Sequence, residues 1–174
     1  MTRNEEKFTD ISSAFLGRCE SFLRVEVGLA LDLPCGTLRN VSLLETFGYS
    51  IIGADFDEKQ FHRSEDADLV QRIETVVLDG FKALPFPTKH FDLIAVIHPP
   101  SHLIAVNAAP YVKSGGYMVI ETFEDRGGNW KALPRPTEVQ GYFASGWKSL
   151  IYMEKFSRKS SQAVTVKVLF RFYL

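Results

Sequence analysis

Three aspartates follow apolar segments of the chain, at points where buried strands are expected to end. Asp32, Asp55 and Asp79 each stand at the end of such a segment. Ligands of open parallel sheets bind beyond the carboxyl ends of the strands, so these carboxylates are expected to share one edge of a sheet. Asp55 follows Asp32 by 23 residues, close to the offset of roughly 20 residues at which an acidic group accepts hydrogen bonds from ribose hydroxyls. The three carboxylates therefore suit a cationic ligand that carries a ribose.

The turn after the first of these segments contains Pro34, Cys35 and Gly36 and leads into a predicted helix. A ligand at this turn would meet free backbone N–H groups at the positive end of the helix, and Gly36 permits a close approach to the backbone. A dinucleotide-binding GxGxxG turn needs further glycines to admit a pyrophosphate. Neither that pattern nor a phosphate-binding GxxxxGK occurs here. A nucleoside without a pyrophosphate is therefore the expected ligand.

A histidine, His98, ends the fourth predicted strand at the same edge. An imidazole that titrates near neutral pH can remove a proton from an O–H, N–H or S–H group, so His98 is the candidate catalytic residue. A hydrogen-bonded structural role is the alternative. The two cysteines, Cys19 and Cys35, have neither a CxxC spacing nor a histidine at zinc-finger distance. The sequence therefore indicates no metal site and no disulfide framework.

Strands and helices alternate through the first two thirds of the sequence. The predicted strands occupy residues 27–33, 50–54, 75–78, 91–97 and 117–122. Apolar spacing predicts helices before and between them, over residues 8–23, 38–47, 57–70 and 101–109. Parallel strands need crossover connections, so this alternation predicts a doubly wound, mainly parallel α/β sheet. Two further strands, 150–155 and 163–172, are predicted to form an antiparallel hairpin that completes a seven-stranded sheet.

The length of 174 residues, with 45% hydrophobic and 24% charged residues, is typical of a single globular domain. Within it we expect an N-terminal helix at 5–24, a ligand-binding core at 26–122, and a loop with the closing hairpin at 123–174. The net charge of -1 provides no field that would attract nucleic acid. Prolines interrupt the longest uncharged segment, which argues against a membrane span. The acidic first residues do not resemble a secretory leader, so the cytoplasm is the expected location.

Five pieces of the sequence, in order over residues 26–122, are together similar to one family. They are LDLPCGTLRN at 31–40, GYSIIGAD at 48–55, Asp79 with LPF at 84–86, FDLI at 91–94, and KSGGY at 113–117. On these pieces the chain resembles the class I S-adenosylmethionine-dependent methyltransferases. The resemblance implies a Rossmann-like fold, S-adenosylmethionine as the cofactor, and an enzyme that methylates an acceptor.

The resemblance also implies a role for each candidate at the strand ends. Asp32 and the turn after it would face the methionine part of the cofactor, Asp55 would hold the ribose, and Asp79 with Gly80 would hold the adenine. The implied cofactor contacts are Asp32, Pro34, Cys35, Gly36, Asp55, Phe56, Asp79 and Gly80. The family usually has a glycine where this chain has Leu38. A bulky side chain at that position is expected to narrow the cofactor pocket.

Residues 121–134 resemble small bacterial members of the family, which are grouped with the tellurite- and thiopurine-type methyltransferases and act on small molecules. This resemblance implies a small-molecule acceptor, with Arg126, Asn129 and Trp130 on the acceptor side. The alternative for Trp130 is a lid that packs over the core. The segment HPPS, which begins at His98, is similar to the Asn/Asp-Pro-Pro-Tyr motif of amine and amide methyltransferases, although both of its outer residues differ.

Three functions follow from these observations. The first is methyl transfer to a small molecule. The second is a binding or regulatory module that has kept the fold and lost turnover, and Leu38 is the residue that motivates it. The third is a nucleic-acid or protein N-methyltransferase. The basic pair Arg158 and Lys159 is the only support for nucleic acid, and the HPPS segment gives a hint of nitrogen specificity. Neither the acceptor nor the oligomeric state follows from the sequence.

Overall fold

A seven-stranded sheet forms the centre of the structure, a computed structural model that describes residues 12–64, 66–125, 133–156 and 163–174. Its strands are β1 (Gly28–Asp32), β2 (Tyr49–Asp55), β3 (Glu74–Val77), β4 (Phe91–Ile97), β5 (Val112–Asp125), β6 (Trp147–Phe156) and β7 (Ala163–Phe172). They lie in the order β3-β2-β1-β4-β5-β7-β6. The first five pair in parallel, and β7 is antiparallel to both β5 and β6. The predicted mainly parallel sheet with a C-terminal antiparallel hairpin is confirmed.

The central strands are nearly continuous apolar runs because both of their faces are covered. Leu31 of β1 and Ile94 of β4 enter one core cluster. Their neighbours Ala30 and Leu93 enter a second cluster on the opposite face. Successive side chains of a strand point to opposite faces, so a strand covered on both sides must be apolar at almost every position. The same pattern made these strands predictable from the sequence.

Short helices cover the two faces of the sheet. They are α1 (Ala14–Arg18), α2 (Glu20–Leu23), α3 (Val41–Thr46), α4 (Ala67–Arg72), α5 (Leu103–Ala108) and α6 (Glu138–Tyr142), with 3₁₀ segments at Glu58–Arg63 and Ala109–Tyr111. Judged by length and apolar character together, no helix in the described part of the chain could span a bilayer.

The predicted N-terminal helix at 5–24 is wrong as a single element, and its part before residue 12 lies outside the described residues. Helix α1 begins after Ser13, whose side chain accepts hydrogen bonds from the N–H groups of Phe15 and Leu16. A turn at Cys19 then separates α1 from α2. The serine hydroxyl satisfies N–H groups that have no partner within the helix, which favours a helix start at this position.

Two other helices are shorter than predicted, again for local reasons. The helix predicted over 38–47 begins only at α3, because the backbone of Leu38 has a left-handed φ of 63°. The surface helix predicted over 57–70 is divided into a 3₁₀ segment and α4. The carboxylates of Asp57 and Asp66 each cap one of the two pieces, so each piece has its own start.

Helix α6 has no apolar stripe that would predict it, and a distant residue holds it in place. Glu124 of β5 is fully buried, and its carboxylate accepts hydrogen bonds from Thr137 N at 3.1 Å and Val139 N at 3.2 Å. Both donors lie at the start of the helix, where N–H groups lack partners within the helix. Burial raises the pKa of Glu124, although these two hydrogen bonds act against the rise. Residues 133–142 are thereby attached to the end of β5.

Candidate active site

The carboxyl ends of β1, β2 and β4 meet at one edge of the sheet. Asp32 is level with Gly53 of β2 and with Ala95 of β4 in the strand registers. Asp55 therefore lies slightly beyond Asp32 along β2, and His98 lies slightly beyond it at the end of β4. The structure thus brings these three predicted residues to the same edge, which is where ligands of open α/β sheets bind.

Asp55 joins the turn after β1 to the end of β2. Its Oδ2 atom accepts a hydrogen bond from Gly36 N at 3.0 Å, and its Oδ1 atom accepts one from Asp57 N at 3.2 Å. Cys35 N also donates to the carbonyl oxygen of Ala54 at 2.9 Å. Each carboxylate oxygen can accept a second hydrogen bond, so Asp55 retains capacity for a ligand. Gly36 has a φ of 53° and no atom within 4 Å of the position of a Cβ, so this side of the turn is open.

Asp32 is a fully buried carboxylate. The Nδ2 atom of Asn40 lies 3.4 Å from its Oδ1 atom and 3.3 Å from its Oδ2 atom. Burial raises the pKa of Asp32 to about 7, while the contact with Asn40 and the positive charge of Arg39 act against the rise. Among the described residues neither Asp32 nor the buried Asp55 forms an ion pair. A positively charged ligand would supply the charge that this pair lacks.

Exposed aromatic rings accompany the acidic residues at the ends of β2 and β3. Phe56 is 72% exposed and Phe81 is 54% exposed, whereas aromatic side chains usually bury most of their area. Asp79 Oδ1 accepts a hydrogen bond from Phe81 N at 3.0 Å, and Asn107 Nδ2 donates to Gly80 O at 2.9 Å. Exposed rings beside a carboxylate can hold a planar heterocycle that carries an amine. Phe81 was not predicted, although an aromatic residue directly after Asp-Gly at a strand end could have revealed it.

Both ring nitrogens of His98 are hydrogen-bonded. Arg39 Nη2 lies 2.7 Å from Nδ1, and Oε1 of Glu121 lies 3.1 Å from Nε2. A guanidinium can only donate and a carboxylate only accept, so Nδ1 carries the lone pair and Nε2 carries the proton. The side chain is 41% exposed at the edge of the sheet. His98 is therefore held as one neutral tautomer, with its lone pair on the side of Arg39.

Glu121, near the end of β5, is the centre of a buried polar cluster. Its carboxylate accepts hydrogen bonds from Ser13 Oγ at 2.7 Å and Lys167 Nζ at 2.7 Å, as well as from His98. Burial alone would raise the pKa of Glu121, but these three partners lower it to about 2. Ser13 N in turn donates to Asn40 Oδ1 at 3.0 Å, which connects the cluster to the carboxylate at the end of β1.

Three residues of this edge, Arg39, Asn40 and Glu121, were not predicted as site residues. Arg39 and Asn40 end the LDLPCGTLRN segment, so their position directly after the turn was a usable signal. Glu121 is an acidic residue within the apolar run of the fifth strand, and a charge in such a run needs a partner. Its partners are 108, 23 and 46 residues away in the sequence, so no local pattern shows them.

The side chain of Leu38 is fully buried in a core cluster that also contains Cys35. Its Cδ2 atom lies 2.8 Å from the position that a Cβ on Gly53 would occupy, so the absence of a side chain at Gly53 provides its space. The bulk that was expected to narrow the cofactor pocket is therefore accommodated against β2. The Cys35 thiol also lies in the core, where burial raises its pKa, and Pro34 follows a cis peptide bond.

The acceptor-side residues named from the sequence, Arg126, Asn129 and Trp130, lie outside the described residues, as do Arg158 and Lys159. Their roles stay predictions. In the part of the chain that the structure does describe, no group of three or more histidine, cysteine, aspartate or glutamate side chains could hold a metal ion.

Solved structures with the same fold include three that align with most of this chain. The (4+2)-cyclase SpnF is 14% identical with a TM-score of 0.73, covering 91% of this chain and 80% of that chain. Geranyl diphosphate methyltransferase in complex with GPP and sinefungin is 11% identical with a TM-score of 0.72, covering 90% and 76%. A SAM-dependent methyltransferase from Methanosarcina mazei is 14% identical with a TM-score of 0.66, covering 88% and 96%. No curated protein sequence matches the chain.

A family model described as a methyltransferase domain matches residues 31–120. The match spans more than half of the chain and includes the end of β1, all of β2, β3 and β4, and most of β5. It thus contains the strand ends that carry Asp32, Asp55, Asp79 and His98. The chain belongs to this methyltransferase-domain family and is a class I S-adenosylmethionine-dependent methyltransferase.

Proposed function

We propose that this enzyme transfers a methyl group from S-adenosylmethionine to a small-molecule acceptor at the edge formed by β1, β2 and β4. The observation that carries the proposal is the pair of buried carboxylates, Asp32 and Asp55, beside the open turn at Gly36. They form no ion pair among the described residues, so a cationic ligand would complete the site. When bound, S-adenosylmethionine supplies a methyl group that its positively charged sulfur activates.

Residues on three strand ends would hold the cofactor. Asp32 and the turn after β1 would face its methionine part, where a carboxylate favours the positive charges. Asp55 would accept hydrogen bonds from the ribose hydroxyls with the capacity that Gly36 and Asp57 leave free. Asp79, with the neighbouring Gly80, would accept a hydrogen bond from the adenine amine. The exposed Phe56 and Phe81 rings offer apolar surface for the base.

His98 is proposed as the catalytic base because its lone-pair nitrogen lies at the same edge as the carboxylates. The hydrogen bond from Nε2 to Glu121 fixes the orientation of the ring and stabilises the positive charge that it acquires with a proton. The proposal requires Nδ1 to become accessible to the acceptor. In the structure Nδ1 contacts Arg39, which agrees with a structural role unless the guanidinium moves.

A small molecule is the acceptor class that the comparisons favour. One neighbour of the same fold is a geranyl diphosphate methyltransferase in complex with GPP, which is a small molecule. The net charge of -1 gives no support to a nucleic-acid substrate. Arg126, Asn129 and Trp130 remain the proposed acceptor-side residues. Membership of the tellurite- and thiopurine-type group and the cytoplasmic location stay predictions.

Calorimetric titration with S-adenosylhomocysteine, the cofactor without its methyl group, tests the proposal. We expect binding with a Kd well below about 1 mM. Asp55→Ala should weaken it by about 1–3 kcal/mol, because the ribose hydroxyls lose their acceptor. Asp66→Ala is the matched control, since it removes an aspartate cap at α4 and should leave the Kd unchanged.

Asp55→Asn separates binding from folding, because its amide oxygen still accepts the hydrogen bond from Gly36 N. Circular dichroism establishes that each variant is folded before titration. No heat of binding by the wild type at about 1 mM ligand would contradict the proposed function. The same Kd for the wild type and both Asp55 variants would show that the ribose lies elsewhere.

A further inference from the structure

Arg39 has an unusual partner for an arginine at this edge. Its guanidinium contacts Nδ1 of His98, and no carboxylate of the described residues lies within ion-pair distance of it. Arg24 and Arg72, by contrast, each form an ion pair with a glutamate. Arg39 therefore presents a positive charge that acts on the buried Asp32 but forms no ion pair among the described residues, directly beside the nitrogen proposed as the catalytic base.

The contact with Arg39 blocks His98 as a base. The lone pair on Nδ1 that would accept a proton already accepts the hydrogen bond from the guanidinium. The carboxylate of Glu121 does not replace His98 as the partner of the guanidinium, because Glu121 already accepts hydrogen bonds from Lys167, Ser13 and His98 Nε2. A different anion is needed to release Nδ1. A carboxylate is well suited, since it can form two charge-assisted hydrogen bonds with a guanidinium, in place of one bond to a neutral ring.

We propose, resting on the proposed function, that Arg39 binds a carboxylate of the acceptor and that acceptor binding thereby frees Nδ1 of His98. The acceptor is then a small carboxylic acid that also carries an O–H, N–H or S–H group. His98 Nδ1 takes the proton from that group as the acceptor atom bonds to the methyl carbon, and the electron pair of the broken carbon–sulfur bond stays on sulfur. The resulting imidazolium is paired with Glu121.

The cofactor also has a carboxylate, in its methionine part, and the contact of Arg39 with the proposed base His98 is what favours the acceptor over it. Arg39 reaches across to the end of β4, where His98 stands. Asp55 and Asp79, the proposed ribose and adenine partners, lie on the other side of β1, at the ends of β2 and β3. The guanidinium is thus directed away from the nucleoside and towards the proposed base.

Nitrogen NMR of the histidine rings tests the inference in the wild type saturated with S-adenosylhomocysteine. The probes are acetate, benzoate and phenylacetate at about 10 mM, roughly ten times a millimolar Kd, with benzamide as the neutral control. We expect at least one carboxylate, and not benzamide, to shift the His98 Nδ1 signal. The signal is assigned with His98→Gln. If none of the three carboxylates shifts it, the proposal is wrong.

Substitutions of Arg39 separate charge from geometry. Arg39→Gln should move the Nδ1 signal without any carboxylate and weaken carboxylate binding roughly tenfold or more. Arg39→Lys keeps the positive charge but lacks the planar guanidinium that can form two hydrogen bonds with one carboxylate. It should therefore weaken carboxylate binding less than Arg39→Gln does. Arg24→Gln removes the arginine that directly follows α2 and is paired with Glu20, and it should change neither measurement. Carboxylate binding by Arg39→Gln equal to that of the wild type would overturn the proposal.

Two cofactor analogues distinguish the two possible carboxylates. S-adenosylhomocysteine has the amino-acid part, and methylthioadenosine lacks it. Because the charge of Arg39 also acts on Asp32, the comparison is made in an Asp32→Asn background, where Arg39→Gln should bind both analogues as tightly as the parent protein does. If it loses affinity roughly tenfold for S-adenosylhomocysteine alone, Arg39 holds the carboxylate of the cofactor and the proposal is wrong. Failure of the wild type to bind S-adenosylhomocysteine at all would instead contradict the proposed function.

Discussion

Asp32 is ionisable and fully buried, and Asn40 is the side chain that the structure places against it. Burial raises its pKa from 3.8 to about 7. Between these pH values the folded protein keeps a proton that the unfolded chain has lost. The stabilisation from this proton is therefore complete at low pH and is lost as the pH rises through about 7. A cationic ligand has the opposite preference, because it favours the ionised carboxylate.

Asp32→Asn should reveal this buried charge, because the amide keeps the shape of the side chain and cannot ionise. We expect the free energy of unfolding of the variant, relative to the wild type, to increase by on the order of 3 kcal/mol between about pH 5 and pH 8. Urea denaturation of both proteins across this range measures the difference. Over the same range the affinity for S-adenosylhomocysteine, whose positively charged α-ammonium group would face Asp32, should increase in the wild type and stay constant in the variant. A difference in unfolding free energy that does not depend on pH would contradict this account.

At the scale of the element, Leu38 determines where α3 begins. Its left-handed backbone costs a leucine roughly 1–2 kcal/mol, yet its side chain is fully buried. Burial of a leucine side chain contributes about 1.5–3 kcal/mol, which is enough to offset that strain. Leu38 N also donates to Cys35 O at 3.0 Å and closes the turn. The turn therefore keeps the conformation that a glycine would favour, with a side chain that anchors it in the core.

Leu38→Ala and Leu38→Gly separate packing from strain. Alanine loses the packing and keeps the strain, so it should lower the free energy of unfolding by about 2–5 kcal/mol. Glycine loses one more carbon and removes about 1 kcal/mol of strain, so it should be at least as stable as alanine. Urea denaturation compares the two variants. In an ordinary helix a glycine is about 1 kcal/mol less stable than an alanine. If Leu38→Gly is less stable than Leu38→Ala by this amount, the backbone at residue 38 is not strained.

The elements that could be predicted are those whose signal is local. Strands β4 and β7 have the predicted bounds, because an apolar run and its flanking turns lie within one short segment. Helix α6 could not be predicted, since Glu124 from another part of the chain holds its start. The helix expected over 57–70 is divided because Asp57 and Asp66 cap separate pieces, a choice that hydrophobic spacing does not show.

At the scale of the molecule, hydrogen bonds connect residues that lie far apart in the sequence across the whole ligand-binding edge. They lead from Asp32 through Asn40 to Ser13, and from Ser13 through Glu121 to Lys167. Asp32 and Asp55 were predictable because each ends a strand that the pattern of residues reveals. The connections through Ser13 and Glu121 were not, since they depend on contacts that form only when the sheet is assembled.

A double-mutant cycle tests whether this connected set acts as one unit. Ser13→Ala removes the helix cap and the hydrogen bond to Glu121, and Asn40→Ala removes the acceptor for Ser13 N. Because both changes weaken the attachment of residue 13, their effects on the free energy of unfolding should differ from additivity by about 0.5–3 kcal/mol. Ser101→Ala is the control, because its hydroxyl caps the start of α5 in a similar way, through Leu103 N at 3.2 Å. Ser101→Ala with Asn40→Ala should be additive within about 0.5 kcal/mol. Additivity in both cycles would show that the connections are energetically independent.

Lys167 comes from β7, the strand that inserts between β5 and β6 and runs against its neighbours. During synthesis on the ribosome, β1 to β5 emerge first and can pair, but Glu121 then lacks its lysine. The carboxylate that orients His98 gains its cationic neighbour only after residues 163–172 have been translated and have paired with β5. A nascent chain released before that point would present the proposed nucleoside-binding residues together with a Glu121 carboxylate that lacks its lysine.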